Sequence, residues 1–527
     1  MPQGGVLSPL LFDLFINSLL VELESSGFGV TAADMNIPDL AFADDISLVA
    51  PDPSNMNGLL SVLLRHSKQW RYDVNILKCG VMISGTPSQE SSAQSLRFFL
   101  GDQLIPVHQE YSYLGMCAST LRGKPANFVE DRIDSATAKL HMLSGSIGAR
   151  FNGIRPTLSL QLWRSLILPG AEWGCEVTSP SPTLLKKMDS LLPAALRVFA
   201  GADSFTSNSA LMFEFGAQSL SSRRQELQIR FFRHLCLADS TCRLGKLFRW
   251  RCLQVDHSVA PRSIVWTFKA LLEKFGLQDI WTSRPNDAQD PLWESFESRV
   301  HEVAIRLDVS ARKEAILARP TLSYLAQLKS LEMRSSSHYL SLRGLGPWLK
   351  LRMRSNSLPL LEMLGRYVRH GLPQGSSLCR MCDQGAVENL VHFVGECPAL
   401  QAERHAFALK VRESESFMML PGAMPFLDRW LDGDATTRTV MVLESVAVPC
   451  DPWEKKQWLS NRAERAHDDL ITRFELLSMP FLINIWRRRA LLLGGVPCLD
   501  ITGSTLTMSH LREDGRCRSF AVGVSLS

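Results

Sequence analysis

Two adjacent aspartates, Asp44 and Asp45, interrupt an otherwise apolar stretch, with Leu40-Ala41-Phe42-Ala43 before them and Ile46-Ser47-Leu48-Val49-Ala50 after. Short apolar runs, the second carrying β-branched Ile46 and Val49, predict two strands joined by a tight turn, and Asp tolerates turn backbone. A turn alone leaves a cost unexplained. Two like charges at the tip repel unless water or a cation neutralises them. A hard divalent cation such as Mg²⁺ takes oxygen ligands, commonly one or two carboxylates plus substrate phosphates. The pair is either a plain hairpin turn or a metal-binding tip, and its neighbours in sequence decide between the two.

The start of the chain, Pro2-Gln3-Gly4-Gly5-Val6-Leu7-Ser8-Pro9, leads into Leu10-Leu11-Phe12-Asp13-Leu14-Phe15-Ile16-Asn17. Ser8 as N-cap and Pro9 at the first helical position predict a helix start. That helix is apolar nearly all round, which predicts burial rather than a solvent face. The glycine pair before it lets backbone approach a flat ligand closely. Pro-Gln-Gly-Gly-Val-Leu-Ser-Pro-Leu-Leu-Phe, followed by Phe-Ala-Asp-Asp, resembles the palm of reverse transcriptases, above all those of non-LTR (LINE-type) retrotransposons. Trp70 to Met82, with Asn75, Lys78 and Cys79, is similar to the family's next palm segment. Tyr111-Ser112-Tyr113-Leu114-Gly115 resembles its primer-grip hairpin.

The resemblance implies an α+β chain. It places a partial palm of antiparallel strands and helices at residues 1–120 and a helical thumb at 121–240, and amphipathic patterning alone reads 241–342 as a helical connector. A basic segment with a zinc knuckle follows at 343–410, then a helical region at 411–490 and a weakly ordered tail at 491–527. It also implies RNA-templated DNA synthesis from a primer 3′ hydroxyl, with RNA template, DNA primer and deoxynucleotides as partners. Asp44 and Asp45 would hold Mg²⁺ or Mn²⁺, and Lys78 would assist the leaving pyrophosphate as cation or proton donor. Gln3 and Gly4 would face nucleotide and template, and Phe42, Tyr113, Leu114 and Gly115 would line the substrate side. The alternatives are a surface lysine for Lys78 and ordinary helix-entry chemistry for Gln3 and Gly4. In the family a further aspartate lies on a strand upstream of Pro-Gln-Gly, a segment that here begins at residue 2. Two-metal catalysis needs carboxylates that hold both ions, and none of Asp13, Asp34 and Asp39 is an obvious substitute. The expectation is a chain without fingers or first palm strand, inactive alone and needing an upstream segment.

Net charge of +4 over 527 residues is too small to prove a nucleic-acid partner, so local clusters carry that argument. Arg343, Lys350, Arg352, Arg354, Arg366, Arg369 and His370 fall in one short span, interleaved with Trp348 and Tyr367. Of these, Lys350, Arg352, Arg354, Arg366 and Arg369 are expected to contact nucleic-acid backbone. Arg223, Arg224 and the run Arg487-Arg488-Arg489 are phosphate contacts or, equally in keeping with their spacing, solvated helix faces.

Twelve cysteines over this length are no disulfide framework and fit a reducing compartment with one local metal cluster. That cluster is Cys379-x2-Cys382-x9-His392-x4-Cys397, whose three thiolates and one imidazole suit tetrahedral Zn²⁺, with the histidine on a helix starting in Glu388–Phe393. The alternative is a chance grouping of free cysteines. The family's distal Cys-Cys-His-Cys knuckle is similar, and such a knuckle is structural because protein fills all four positions. Glu444, Asp451 and Glu454 match only loosely the restriction-like nuclease that some related elements carry. No uninterrupted apolar run of membrane-spanning length occurs, and the N-terminus has no secretory pattern. An intracellular location, nuclear or cytoplasmic, with no membrane is therefore expected. A non-catalytic RNA- or DNA-binding remnant is the second functional reading, and a bare helical scaffold the third.

Overall fold

The computed structural model describes residues 5–84, 96–119, 127–151, 153–259, 263–328, 331, 334–365, 377–450, 460–494, 508–511 and 517–520. The chain forms two compact units. The first takes in residues 1–132, 173–184 and 225–300, and the second residues 133–172, 185–224 and 301–527. The units do not follow the expected linear segments, since 121–240 and 241–342 are each divided between them.

In the first unit, helix α1 (Ser8–Ser25) is followed by two hairpins, β1 (Val30–Ala32) with β2 (Met35–Ile37), then β3 (Asp39–Phe42) with β4 (Asp45–Leu48). Helix α2 (Pro53–Trp70) comes next, then hairpins β5 (Phe98–Leu100) with β6 (Gln103–Ile105) and β7 (Glu110–Tyr113) with β8 (Met116–Ser119). Each is an antiparallel pair, so among the described residues the palm strands stand as separate hairpins rather than one wide sheet. Local chemistry sets the limits of α2. Asp52 caps it by accepting from the Asn55 N–H, Pro53 presets the first turn, and Arg71 ends it at φ 56°, in the left-handed region. One side of α2 packs Leu59 and Val62 against Ile16, Leu19 and Leu23 of α1, and Leu60 meets Phe98, Leu100, Ile105 and Val81 on the other.

Helix α1 departs from expectation in two ways. It begins at Ser8 with Leu7 in the cap position, so Ser8 lies inside the helix instead of capping it. It is also not buried all round: Leu10, Leu11, Leu14 and Val21 are exposed. Among the described residues α2, with Phe28, Ile46 and Leu48 beside it, packs against the Ile16, Leu19 and Leu23 side of α1 and leaves the other side uncovered.

The second unit is almost entirely helical. Trp163, Leu192, Leu196, Phe199 and Leu211 form one apolar cluster, and Phe407, Phe426, Trp430, Phe474 and Phe481 belong to another. The long helix Arg462–Leu492 supplies Phe474 and Phe481, and the Phe481 ring stacks on Phe407 at 4.7 Å between centroids. Burying a phenylalanine contributes about 1.5–3 kcal/mol, so this aromatic pair anchors the C-terminal helices. The helix Leu345–Arg354 is buried on every side and gives Leu349 and Met353 to one cluster, Leu351 to the other. Of the expected tail at 491–527, residues 508–511 pair antiparallel with 517–520, and most of the rest lies outside the described residues.

Candidate metal centres

In the first unit, β3 and β4 pair Phe42 with Asp45, which leaves Ala43 and Asp44 as the turn. Ala43 takes φ 51°, a left-handed backbone that costs an L-residue energy and marks a tip held by its surroundings. Phe42, Asp44 and Asp45 are all exposed. The base of the hairpin is fixed from below. Asp39, fully buried, pairs with Arg243 at 3.2 Å, and Arg243 also pairs with Glu24 at the end of α1. Burial raises the Asp39 pKa although Arg243 works against it.

The Tyr111–Gly115 segment forms the β7–β8 hairpin, with Leu114 and Gly115 both in left-handed conformation at its turn. Its two tyrosines reach the neighbouring elements. The Tyr113 hydroxyl donates to the carbonyls of Leu40 at 3.4 Å and Asp45 at 3.3 Å, while the Tyr111 hydroxyl donates to the Lys78 carbonyl. Burial raises the Tyr111 pKa, with Cys79 and the Asp45 charge adding to it. Lys78 closes a short 3₁₀ turn, Ile76–Lys78, and is exposed. The fold thus brings Asp45, Lys78, Tyr111 and Tyr113 into one neighbourhood from three separate stretches. Gln3 and Gly4 lie outside the described residues.

Two adjacent carboxylates in solvent suit one Mg²⁺ that takes its remaining ligands from water and phosphate. Among the described residues no third His, Cys, Asp or Glu joins Asp44 and Asp45 closely enough to share an ion.

In the second unit, Cys379, Cys382, His392 and Cys397 come together so that their ligand atoms all lie within 4.8 Å of one another. The Cys379 and Cys397 sulfurs are 3.9 Å apart, and the Cys382 sulfur is 3.4 Å from His392 Nε2. Metal–ligand bonds of about 2.3 Å to sulfur and 2.0–2.1 Å to nitrogen, set tetrahedrally, require about 3.8 Å between sulfurs and about 3.6 Å from sulfur to nitrogen. The donor set therefore fits Zn²⁺. A bridge between Leu378 and Val387 presents the first two cysteines, and a short helical stretch from Leu390 through the π turn His392–Glu396 carries the histidine, as the sequence predicts. Burial pushes the Cys397 thiol up to about 12 and raises that of Cys379 too. The N–H groups of Met381 and Ala399 point at the sulfurs of Cys379 and Cys397. His392 Nδ1 is buried and makes no hydrogen bond among the described residues, and the Glu396 carboxylate lies 3.5 Å from it.

The basic segment does not form the expected surface. Lys350, Arg352 and Arg354 are buried and bound to carboxylates, to Glu475, Asp203 and Glu214 respectively. Their helix is wrapped on all sides, so each cation meets an internal anion instead of solvent. Trp348 is buried as well and donates its indole N–H to the Gly201 carbonyl at 2.7 Å. Arg366, Arg369 and Tyr367 lie outside the described residues, and Arg343 is exposed. Arg223 pairs with Glu172, Arg224 is buried, and Arg489 pairs with the buried Glu388 at 2.7 Å, so these arginines are structural as well. Sequence reasoning missed the three acidic partners. Each lies far away in the chain, and no local pattern links it to the basic span.

Residues 1–117 match the family described as reverse transcriptase (RNA-dependent DNA polymerase). The chain is also similar to the retrovirus-related Pol polyprotein from type-2 retrotransposable element R2DM of Drosophila melanogaster. The two are 26% identical over 198 residues, covering 36% of this chain and 17% of that protein. The chain thus corresponds to under one fifth of the length of the curated relative it matches. Asp44, Asp45, Lys78 and the Tyr111–Gly115 hairpin all fall within the matched residues. The stretch that presents the paired aspartates is thus similar to reverse transcriptases, that of a retrotransposable element among them.

Proposed function

We propose that the chain takes part in RNA-directed DNA synthesis, with the β3–β4 tip as its metal-binding part. The observation that carries this reading is the exposure of Asp44 and Asp45 on a tip braced by Tyr113, inside the stretch that matches reverse transcriptases. Asp44 and Asp45 hold Mg²⁺ or Mn²⁺, which when bound stabilises charge on the phosphoryl group being transferred. Lys78 offers a cation to the departing pyrophosphate, and Tyr113 fixes the tip against the β7–β8 hairpin. Phe42, Leu114 and Gly115 line the side where primer and template lie, and Gln3 and Gly4, outside the described residues, would face nucleotide and template. The site takes a further carboxylate from an added palm segment, which the exposed apolar side of α1 is suited to receive. No helix among the described residues is long and apolar enough to cross a membrane. That fits a polymerase acting on nucleic acid in the nucleus or cytoplasm.

Primer extension on an RNA template with Mg²⁺ tests this reading, with the full chain alone and with a separately supplied fingers and first-palm segment. The expected result is extension only when the segment is supplied, abolished by Asp44→Asn. Extension that Asp44→Asn leaves unchanged would overturn the metal assignment.

Among the described residues the carboxylate pair has no third member whereas the Cys₃His set is complete, and that difference favours a second reading. In it the chain binds RNA or DNA without catalysis, through the Zn²⁺ knuckle and the neighbouring Arg366 and Arg369. Binding that falls steeply with salt and disappears in Cys382→Ser, with no extension under either condition, supports this reading over the first.

A further inference from the structure

The helical unit contains a cavity of about 220 Å³ that neither reading uses. Three guanidiniums line it, those of Arg164, Arg223 and Arg334, together with Trp163, Gln218 and a ring of leucines. Among the described lining residues there is no carboxylate. Arg223 is already neutralised from outside the cavity, with Nη2 donating to Glu172 at 3.0 Å and Nε to the other oxygen. Arg334 is half-buried and donates its Nε to the Gly216 carbonyl at 3.0 Å, which satisfies one N–H and none of its charge. Arg164 stands at the exposed mouth and makes no ion pair among the described residues.

Two cations without an ion pair among the described residues therefore share one recess. Burial, and then the guanidiniums of Arg164 and Arg312, hold the Arg334 pKa below its ordinary value, although the Cys450 side chain and the Asp308 carboxylate work in the other direction. Two further observations point to a ligand rather than to a packing fault. Arg164 belongs to the π turn Trp163–Ile167, which interrupts the helical run Pro156–Glu172, and single π turns of this kind concentrate at functional sites. Trp163, only 1% exposed, lines the cavity, and its buried indole N–H has no acceptor among the described residues. A buried donor without a partner is costly, about 1–3 kcal/mol.

We propose that this cavity is a phosphate-binding site, in which Arg164, Arg334 and the Trp163 indole N–H grip a phosphate or phosphomonoester dianion beside the Arg223–Glu172 pair. The charge count selects the class. Three arginines less one glutamate leave two positive charges, which a phosphate dianion cancels and a carboxylate only halves. Planar guanidiniums also match phosphate oxygens two at a time, and a phosphate keeps acceptors to spare for the indole. The phosphate comes either from the end of a nucleic-acid strand or from a small free phosphate. This inference does not depend on the polymerase reading.

Thermal melting of the full chain tests it, in potassium phosphate against potassium chloride at equal ionic strength and without divalent cations. The wild-type protein is expected to melt a few degrees higher in phosphate once the anion is a hundredfold above its Kd. Arg164→Gln and Arg334→Gln should each lose at least half of that rise. In chloride Arg164→Gln should melt no lower than wild type, because relief of like-charge crowding separates a ligand role from a folding role. Equal melting in the two salts, or a full phosphate effect in both variants, would overturn the site. The source is read by competition. A 5′-phosphorylated oligonucleotide binding about tenfold more tightly than its 5′-hydroxyl twin, with the gap lost in Arg164→Gln, assigns the site to a strand end. Equal binding of the two, with the phosphate-specific rise intact, assigns it to a free phosphate.

Discussion

Lys350 and Glu475 face each other at 2.7 Å, and neither side chain reaches solvent. Lys350 also donates to the Glu444 carbonyl, while the second Glu475 oxygen accepts from His338 Nδ1 at 2.6 Å. A parallel arrangement surrounds Glu214, which binds Arg354 at 2.7 Å, the Tyr339 hydroxyl at 2.9 Å and the Ser337 hydroxyl. Two cations that the sequence offers to nucleic acid are thus internal ties of the helical unit. An ion pair out of water holds only when both members and their remaining hydrogen bonds are present.

Removing one member should therefore cost far more than removing both. Lys350→Met or Glu475→Gln alone is expected to lose about 3–5 kcal/mol of unfolding free energy. The double variant Lys350→Met with Glu475→Leu should regain most of it. Urea unfolding of the three proteins measures this, and a double variant as weak as the worse single would show that the pair is not the unit of stability.

The same pair sets an acid limit. Burial by itself would raise the Glu475 pKa, but Lys350 and His338 outweigh it and bring the carboxyl from 4.5 down to about 2. A carboxyl depressed in the folded state adds stability that is fully present above its unfolded pKa and is lost as pH falls through the folded one. Melting temperatures taken from pH 6 down to pH 2.5 should fall progressively below about pH 4.5 in the wild type. Glu475→Gln starts lower, and its deficit should narrow over the same range.

The knuckle gives a prediction with a direct chemical readout. Full-length protein should contain one zinc per chain, and chelation should lower its melting temperature, as expected of an ion that would tie four side chains from separate turns. Cys397→Ser should lose the zinc. Glu396→Gln should keep it, because the Glu396 carboxylate lies near His392 Nδ1 without a hydrogen bond to it. Elemental analysis and competition with a chromogenic chelator separate the two cases.

What the sequence makes legible depends on how local the cause is. The strands around Asp44 and Asp45 and the Cys379–Cys397 spacing each depend on neighbours within a few turns of chain, and each forms where the pattern places it. The fate of the basic span depends on partners 125 residues away from Lys350 and 140 from Arg354. No periodicity reports such a contact. The run Trp348-Leu349-Lys350-Leu351-Arg352-Met353-Arg354 reads equally as a basic face or as a buried helix with internal charges. The composition of α1 likewise tells that it is apolar, not how many of its sides the described chain can cover.

At the hairpin tip, conformation and charge should separate cleanly. Asp44→Asn and Asp45→Asn change exposed groups, so melting should stay within about 0.5 kcal/mol of wild type while binding of Mn²⁺, followed by its paramagnetic signal, weakens. Ala43 is different because its φ of 51° is tolerated by glycine and resisted by a β-branched side chain. Ala43→Gly should be close to neutral, and Ala43→Val should cost about 1–2 kcal/mol. If Ala43→Val instead melts like wild type, the left-handed turn is not what holds Asp44 and Asp45 together at the tip.

The two sides of α1 give opposite outcomes from similar residues. Leu19 is fully buried against α2, so Leu19→Ala should cost about 2–5 kcal/mol through lost contacts and the cavity left behind. Leu14 is 66% exposed, and Leu14→Glu should leave the unfolding free energy within about 0.5 kcal/mol of wild type. The same substitution should reduce self-association in sedimentation velocity, since it interrupts an apolar patch shared with Leu10 and Leu11. It should also weaken capture of a supplied palm segment, because that segment would need the same patch. A Leu14→Glu protein that unfolds as readily as Leu19→Ala would mean that this side of α1 is already covered by the chain itself, and the case for an added segment would lose its structural footing.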